Sequence, residues 1–113
     1  MKHIPVLNTP TLTIPDEGTQ SDSVDVSLFD LAGVQFPASM AGTGITFQVS
    51  QDNSTFTTVY QGSGDLTLTK QNNKLVLFTA PIAGLGKYLR IVSQASETSG
   101  PILFKLYLVP RAR

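Results

Sequence analysis

His3 is the only histidine in the 113-residue chain, and it stands beside the N-terminus with no second ligand near it. Neither a Ser–His–Asp relay nor a zinc site can be built on it. With no cysteine there is no thiolate and no disulfide. Paired carboxylates can run glycoside hydrolysis if they lie about 5–9.5 Å apart across a sugar cleft. Here the acids fall mostly in turns or at outward strand positions such as Asp25. Asp16, Glu17 and Asp22 share one loop and offer the hard oxygens that calcium takes, but at no recognised ligand spacing. Gly42-Thr43-Gly44 and Gly62-Ser63-Gly64 lack the following Lys-Ser/Thr of a phosphate cradle and read as turns. Arg90, Lys105, Arg111 and Arg113 are too dispersed, and a pI near 6.5 too low, for a nucleic-acid interface. Recognition remains. There is no Trp, so Tyr60, Tyr88 and Tyr107 are the candidate sugar platforms, and Tyr88 with Arg90 on one strand is the candidate glycan contact. No catalytic residue, cofactor or metal is expected.

Strands must position these groups. In residues 45–60, ITFQVSQDNSTFTTVY, apolar and polar residues alternate, an Asp-Asn-Ser tip intervenes, and a second β-rich run returns. That is an antiparallel hairpin of residues 45–50 and 55–60 joined by a tight turn. Val24, Val26 and Leu28 alternate with Asp25 and Ser27 as a half-buried strand, and residues 31–36 form a short one before Pro37. Residues 65–69 and 74–79 follow. In the latter Leu75 and Leu77 share one face and Val76 and Phe78 the other, which suits a central or covered strand. After a loop at 81–86, residues 87–93 put Leu89 and Ile91 on one face and Tyr88, Arg90 and Val92 on the other. Residues 94–100 are a polar loop, and in 102–109 Ile102, Phe104, Leu106 and Leu108 share a face.

Seven to nine strands with frequent turn signals and no helical period predict an all-β, two-sheet antiparallel sandwich, a jelly roll. The expected core is Val24, Val26, Leu28, Ile45, Phe47, Val49, Phe56, Leu75, Leu77, Leu89, Ile91, Ile102, Phe104, Leu106 and Leu108. Residues 16–113 form the domain and residues 1–15 an extended arm, because Pro5, Pro10 and Pro15 exclude helix. Its apolar residues Ile4, Val6, Leu7, Leu12 and Ile14 are the candidate protein-interaction set. Either Leu12 and Ile14 form an edge strand of the domain, a reading that suits 11–14, or the arm lies on a neighbouring subunit, which suits 1–8.

Charged residues are 14% of the chain against a usual quarter, so the surface is rich in neutral polar groups that dehydrate cheaply against another protein. Net charge is zero, yet residues 1–66 hold seven acids and one base, and residues 67–113 seven bases and one acid, Glu97. Folding either interleaves the halves or leaves an acidic and a basic end suited to contacts between copies. No run approaches the ~20 apolar residues of a membrane span, and the N-terminus makes no signal peptide. A soluble cytoplasmic product is expected.

ITFQVSQDNSTFTTVY followed by APIAGLGKYLRIVSQ resembles the core of the discoidin or galactose-binding-like jelly roll. There a strand ending in Ser leads to an Asp-centred turn, an aromatic and a Val-Tyr strand, and downstream comes an aromatic-Leu-Arg-Ile strand, matched by Tyr88-Leu89-Arg90-Ile91. The likeness covers about residues 44–93. The chain lacks the cysteines, tryptophans and long ligand loops of the secreted members. Its short cysteine-free form and Pro-spaced arm are similar to small virion proteins of tailed bacteriophages. That resemblance implies a non-enzymatic capsid decoration or cement protein, assembled in the host cytoplasm and located in the virion. Its partners would be the major capsid protein or another virion protein, and itself as a homodimer or homotrimer, with no nucleic acid and no membrane. The alternative it leaves open is a carbohydrate-binding module or a receptor-binding tail or head-fibre domain.

Overall fold

The computed structural model describes residues 8–60, 64–82, 86–98 and 100–110. Ten strands are found among them: β1 Thr11–Ile14, β2 Gly18–Gln20, β3 Val24–Asp25, β4 Phe29–Gln35, β5 Gly44–Ser50, β6 Thr57–Thr58, β7 Thr67–Thr69, β8 Leu75–Ile82, β9 Tyr88–Glu97 and β10 Ile102–Pro110. They form two antiparallel sheets packed as a β-sandwich, as expected. The first sheet runs β1-β10-β4-β8. In the second, β9 and β5 are central, with β2 and β3 along the far edge of β9 and β6 and β7 along the far edge of β5. The first sheet alternates strands from the acid-rich and base-rich halves, so the two halves interleave rather than forming opposite ends.

Period-two patterning makes β10, β9 and β5 what they are. Ile102, Phe104, Leu106 and Leu108 are buried while Leu103 and Lys105 point out; Ile91 of β9 stands opposite Phe47 of β5 and Leu89 opposite Val49. Phe104 meets the Phe36 ring edge-on, 5.6 Å between centroids.

The strand β1 settles the dual reading of residues 11–14. Thr11 pairs with Lys105 and Ile14 with Ile102, and Leu12 and Ile14 are fully buried. They belong to this domain's own core and are not available to a neighbour. The domain therefore starts before residue 16, with Asn8 already bridged to Leu108. Ile4, Val6, Leu7 and His3 lie outside the described residues, as do Arg111 and Arg113.

Four other expectations are corrected. Leu28 is 70% exposed, because β3 stops at Asp25 and a turn closes with Phe29 N–H donating to Val26 O. β8 is an edge strand, not a central one; Val76 and Phe78 pack on the core, whereas Leu77 is 65% exposed and Leu75 also points out. β8 continues through Pro81 to Ile82, and β9 runs on to Glu97. Six residues, 51–56, separate β5 from β6, so the hairpin is not tightly closed.

Leu31, Val34 and Phe36 are core residues that the alternation did not reveal. Leu108 pairs with Leu31 and Tyr107 with Gly33, so Ala32 is an extra residue on β4. This bulge shifts the parity and lets both Leu31 and Val34 face inward. Next to it, a Cβ on Gly33 would stand 2.7 Å from Val76 O and 2.9 Å from Leu77 Cδ2, so only glycine permits this approach of β8.

Candidate functional site

Tyr88 and Arg90 sit on the outer face of β9, opposite Ser50 and Gln48 of β5. Thr58 of β6 pairs with Gln48 and extends the same face. Arg90 Nε–H donates to Gln48 Oε1 at 2.8 Å, and the guanidinium carbon lies 3.9 Å from the centre of the Phe56 ring. Phe56 is therefore the platform of Arg90 on the outside, not a member of the core. Burial lowers the Arg90 pKa from its ordinary value, while the flat cation gains quadrupole attraction from the ring. Lys87 Nζ stands 5.6 Å from the Tyr88 ring centre. Asp25 pairs opposite Tyr88, and its carboxyl pKa is held down by donation from the Ser27 hydroxyl (2.6 Å) and amide (2.9 Å).

The hairpin tip is organised by two side chains. The Ser50 hydroxyl accepts the amides of Asp52 (3.2 Å) and Asn53 (2.9 Å) and donates to Asp52 Oδ1 at 2.8 Å. That same oxygen accepts the amides of Ser54 and Thr55, each at 2.9 Å. Donation from Thr55, then Ser54 and Ser50, lowers the Asp52 pKa to about 2. Asn53 takes the left-handed conformation, φ 62°, and its side chain accepts the Ser23 hydroxyl at 2.5 Å. Val49, Ser50, Gln51, Asp52, Thr55 and Thr57 line a concavity of about 310 Å³ at this tip. Asp52 is ionised with three donors on one oxygen, so its proton affinity is too low for general-base work near neutrality.

Among the candidates, Tyr88 and Arg90 are brought together on one face, but Arg90 is already engaged by its own chain. Asp16 and Asp22 are engaged too: Asp16 Oδ1 accepts the Gly100 amide at 3.1 Å and Asp22 Oδ1 the Thr13 amide at 2.8 Å. Among the described residues no group of three or more His, Cys, Asp or Glu side chains could hold a metal ion.

Glu97 is a buried acid that the sequence reading did not single out, although it is the one acid of the base-rich half. It lies near the end of β9 with the same parity as the buried Leu89, Ile91 and Ser93, where the β2–β9 register shifts between Gly18↔Glu97 and Gln20↔Val92. Its carboxylate accepts the amides of Ala41 (2.7 Å) and Gly42 (3.0 Å) and the Ser93 hydroxyl (2.7 Å). Burial pushes its pKa up; these donors and the Lys70 charge outweigh that and leave it below the usual value. It pins the connection between β4 and β5 to β9.

No protein-family model matches this chain, and no curated protein matches it.

The two outer faces differ in character. The second sheet presents Gln48, Thr58, Tyr88 and Arg90. The first presents Leu75 and Leu77 of β8, Leu103 and Lys105 of β10, and Tyr107 beside Gly33, with Leu103 53% exposed.

Proposed function

We propose that this chain is a non-enzymatic structural protein of a tailed-bacteriophage particle, a capsid decoration or cement protein bridging neighbouring major capsid subunits. The observation that carries the reading is the outer face of the first sheet, where Leu75, Leu77 and Leu103 are exposed beside Lys105. Exposed leucines grouped on one rigid sheet are a surface for association, gaining roughly 25 cal/mol per Å² of apolar area covered. Residues 1–7, with Ile4, Val6 and Leu7, join the fold at Asn8, beside Leu108 of that same sheet. A rigid sandwich with an adhesive face and an apolar leader bridges subunits without chemistry, its weak contacts multiplied over many copies.

The experiment is localisation. Mass spectrometry of purified particles from cells producing the protein should find it in many copies, and an electron cryomicroscopy map should place the sandwich on the shell. Particles that lack the protein would overturn the proposal. Glycan recognition is the second reading, favoured by Tyr88, Gln48 and Thr58 standing side by side on the opposite face. Saturable glycan binding by the isolated chain, weakened by Tyr88→Ala, would replace the first reading with this one.

A further inference from the structure

Each sheet has two outer edges, and three of the four are blunted. The second sheet ends in strands of only two or three residues on both sides. β1 is four residues long between Pro10 and Pro15. Its outward backbone is also occupied: Thr13 N–H donates to Asp22 Oδ1 at 2.8 Å and Thr13 O accepts the Asp22 amide at 3.3 Å. These are the devices by which sheet proteins avoid pairing edge to edge.

β8 is blunted only beyond Leu77, where its register with β4 shifts and Pro81 follows; residues 75–77 carry none of these devices. The strand is eight residues long, and among the described residues it pairs with β4 alone. Phe36 N–H donates to Lys74 O at 2.9 Å, and the register continues as Gln35↔Leu75, Val34↔Val76 and Gly33↔Leu77. Backbone groups alternate in direction along an antiparallel ladder, so Val76 turns its N–H and C=O toward β4 while Leu75 and Leu77 turn theirs to the open edge. The side chains at this edge are Leu75, Val76, Leu77 and Phe78, with no charge between Lys74 and Lys87.

We infer that β8 is a strand-pairing site for a second copy of this chain, joining the two four-stranded sheets across a two-fold axis. A second copy fits better than another partner because the edge is self-complementary. With Val76 of each copy on the axis, Leu75 of one stands opposite Leu77 of the other, and all four outward backbone groups of each copy find partners. Lys74 then faces Phe78, so the only nearby charge meets no like charge. The exposed side chains of Leu75 and Leu77 from both copies merge into one apolar patch. This interface is independent of where the protein resides and uses neither Tyr88 nor the N-terminal residues.

Sedimentation of the full chain should show a concentration-dependent dimer. Leu77→Pro removes an N–H that the domain itself does not use, and Leu77→Lys adds charge at an already exposed position; each should raise the dimer dissociation constant at least about tenfold. Circular dichroism and thermal melts of both variants verify folding, and Leu77→Lys keeps the test alive if proline disturbs the strand. In a chain without native cysteine, Val76→Cys should give a disulfide-linked dimer under mild oxidation, because facing residues of a non-hydrogen-bonded pair lie about 4.5 Å apart. Thr13→Cys on the capped edge should not. A monomer at all concentrations, a dimer indifferent to both Leu77 variants, or Val76→Cys that stays uncrosslinked would overturn the inference. So would dimer loss caused by an added extended peptide of another protein that binds β8 more tightly than the copy does. Failure here leaves the particle assignment untouched, since that is read from purified virions.

Discussion

A carboxylate removed from water keeps its charge only where donors replace the water, and Glu97 has three, from Ala41, Gly42 and Ser93. Glu97→Gln turns one acceptor oxygen into an NH2 group that faces donors. Denaturant unfolding at neutral pH should show a loss of about 1–3 kcal/mol. Acid tests the same chemistry. Glu97 and Asp52 both have folded pKa values below their unfolded ones, so the unfolded chain binds more protons as pH falls. Their contribution is complete above the ordinary values of 4.5 and 3.8 and is lost on the way down toward about 2, where Asp52 titrates. The melting temperature should hold steady from about pH 7 to about pH 5 and decline below that, with a shallower decline in Asp52→Asn. A melting curve unchanged down to about pH 2 would contradict the assignment. Residue identity alone marked Glu97 as the odd acid of its half. Only the chain's path showed it buried, because its donors are more than 50 positions away in sequence for two of three bonds.

β4 and β8 show where patterning within an element stops being informative. In β10 the alternation is unbroken and the inward set reads directly from the sequence. In β4 the run Phe29-Asp30-Leu31-Ala32-Gly33-Val34-Gln35 contains the extra residue Ala32, so a period-two count assigns Leu31 and Val34 to opposite faces, although both are buried. Deleting Ala32 should force one of those side chains out of the core and cost about 2–5 kcal/mol in guanidinium unfolding. Ala32→Ser, which keeps the length, should cost under about 1 kcal/mol. In β8 both faces are apolar, so the pattern is symmetric and the choice of Val76 and Phe78 over Leu75 and Leu77 falls to the neighbour. Gly33 of β4 brings the backbone of β8 close and gives Leu77 a bare surface to lie on.

For the molecule as a whole, the first residues divide sharply. Leu12 and Ile14 are in the core, and losing two such side chains costs about 4–10 kcal/mol, comparable to the 5–15 kcal/mol that holds a domain together. A chain lacking residues 1–14 should therefore fail to fold cooperatively. A chain lacking residues 1–7 should melt as the full chain does, within about 0.5 kcal/mol, yet lose its attachment to particles. Undiminished particle occupancy by that shorter chain would remove residues 1–7 from the proposed interface. The sequence by itself determined the all-β class, the β5–β6 pairing and the inward faces of β5, β9 and β10, because side-chain alternation is a local property of an extended backbone. Tertiary structure alone decided that residues 11–14 belong to the domain, that β8 is an edge, that Leu31 joins Val34 in the core, and that Glu97 is buried. Each of these depends on a partner strand or loop distant in sequence, and no local period encodes which partner arrives or at what register.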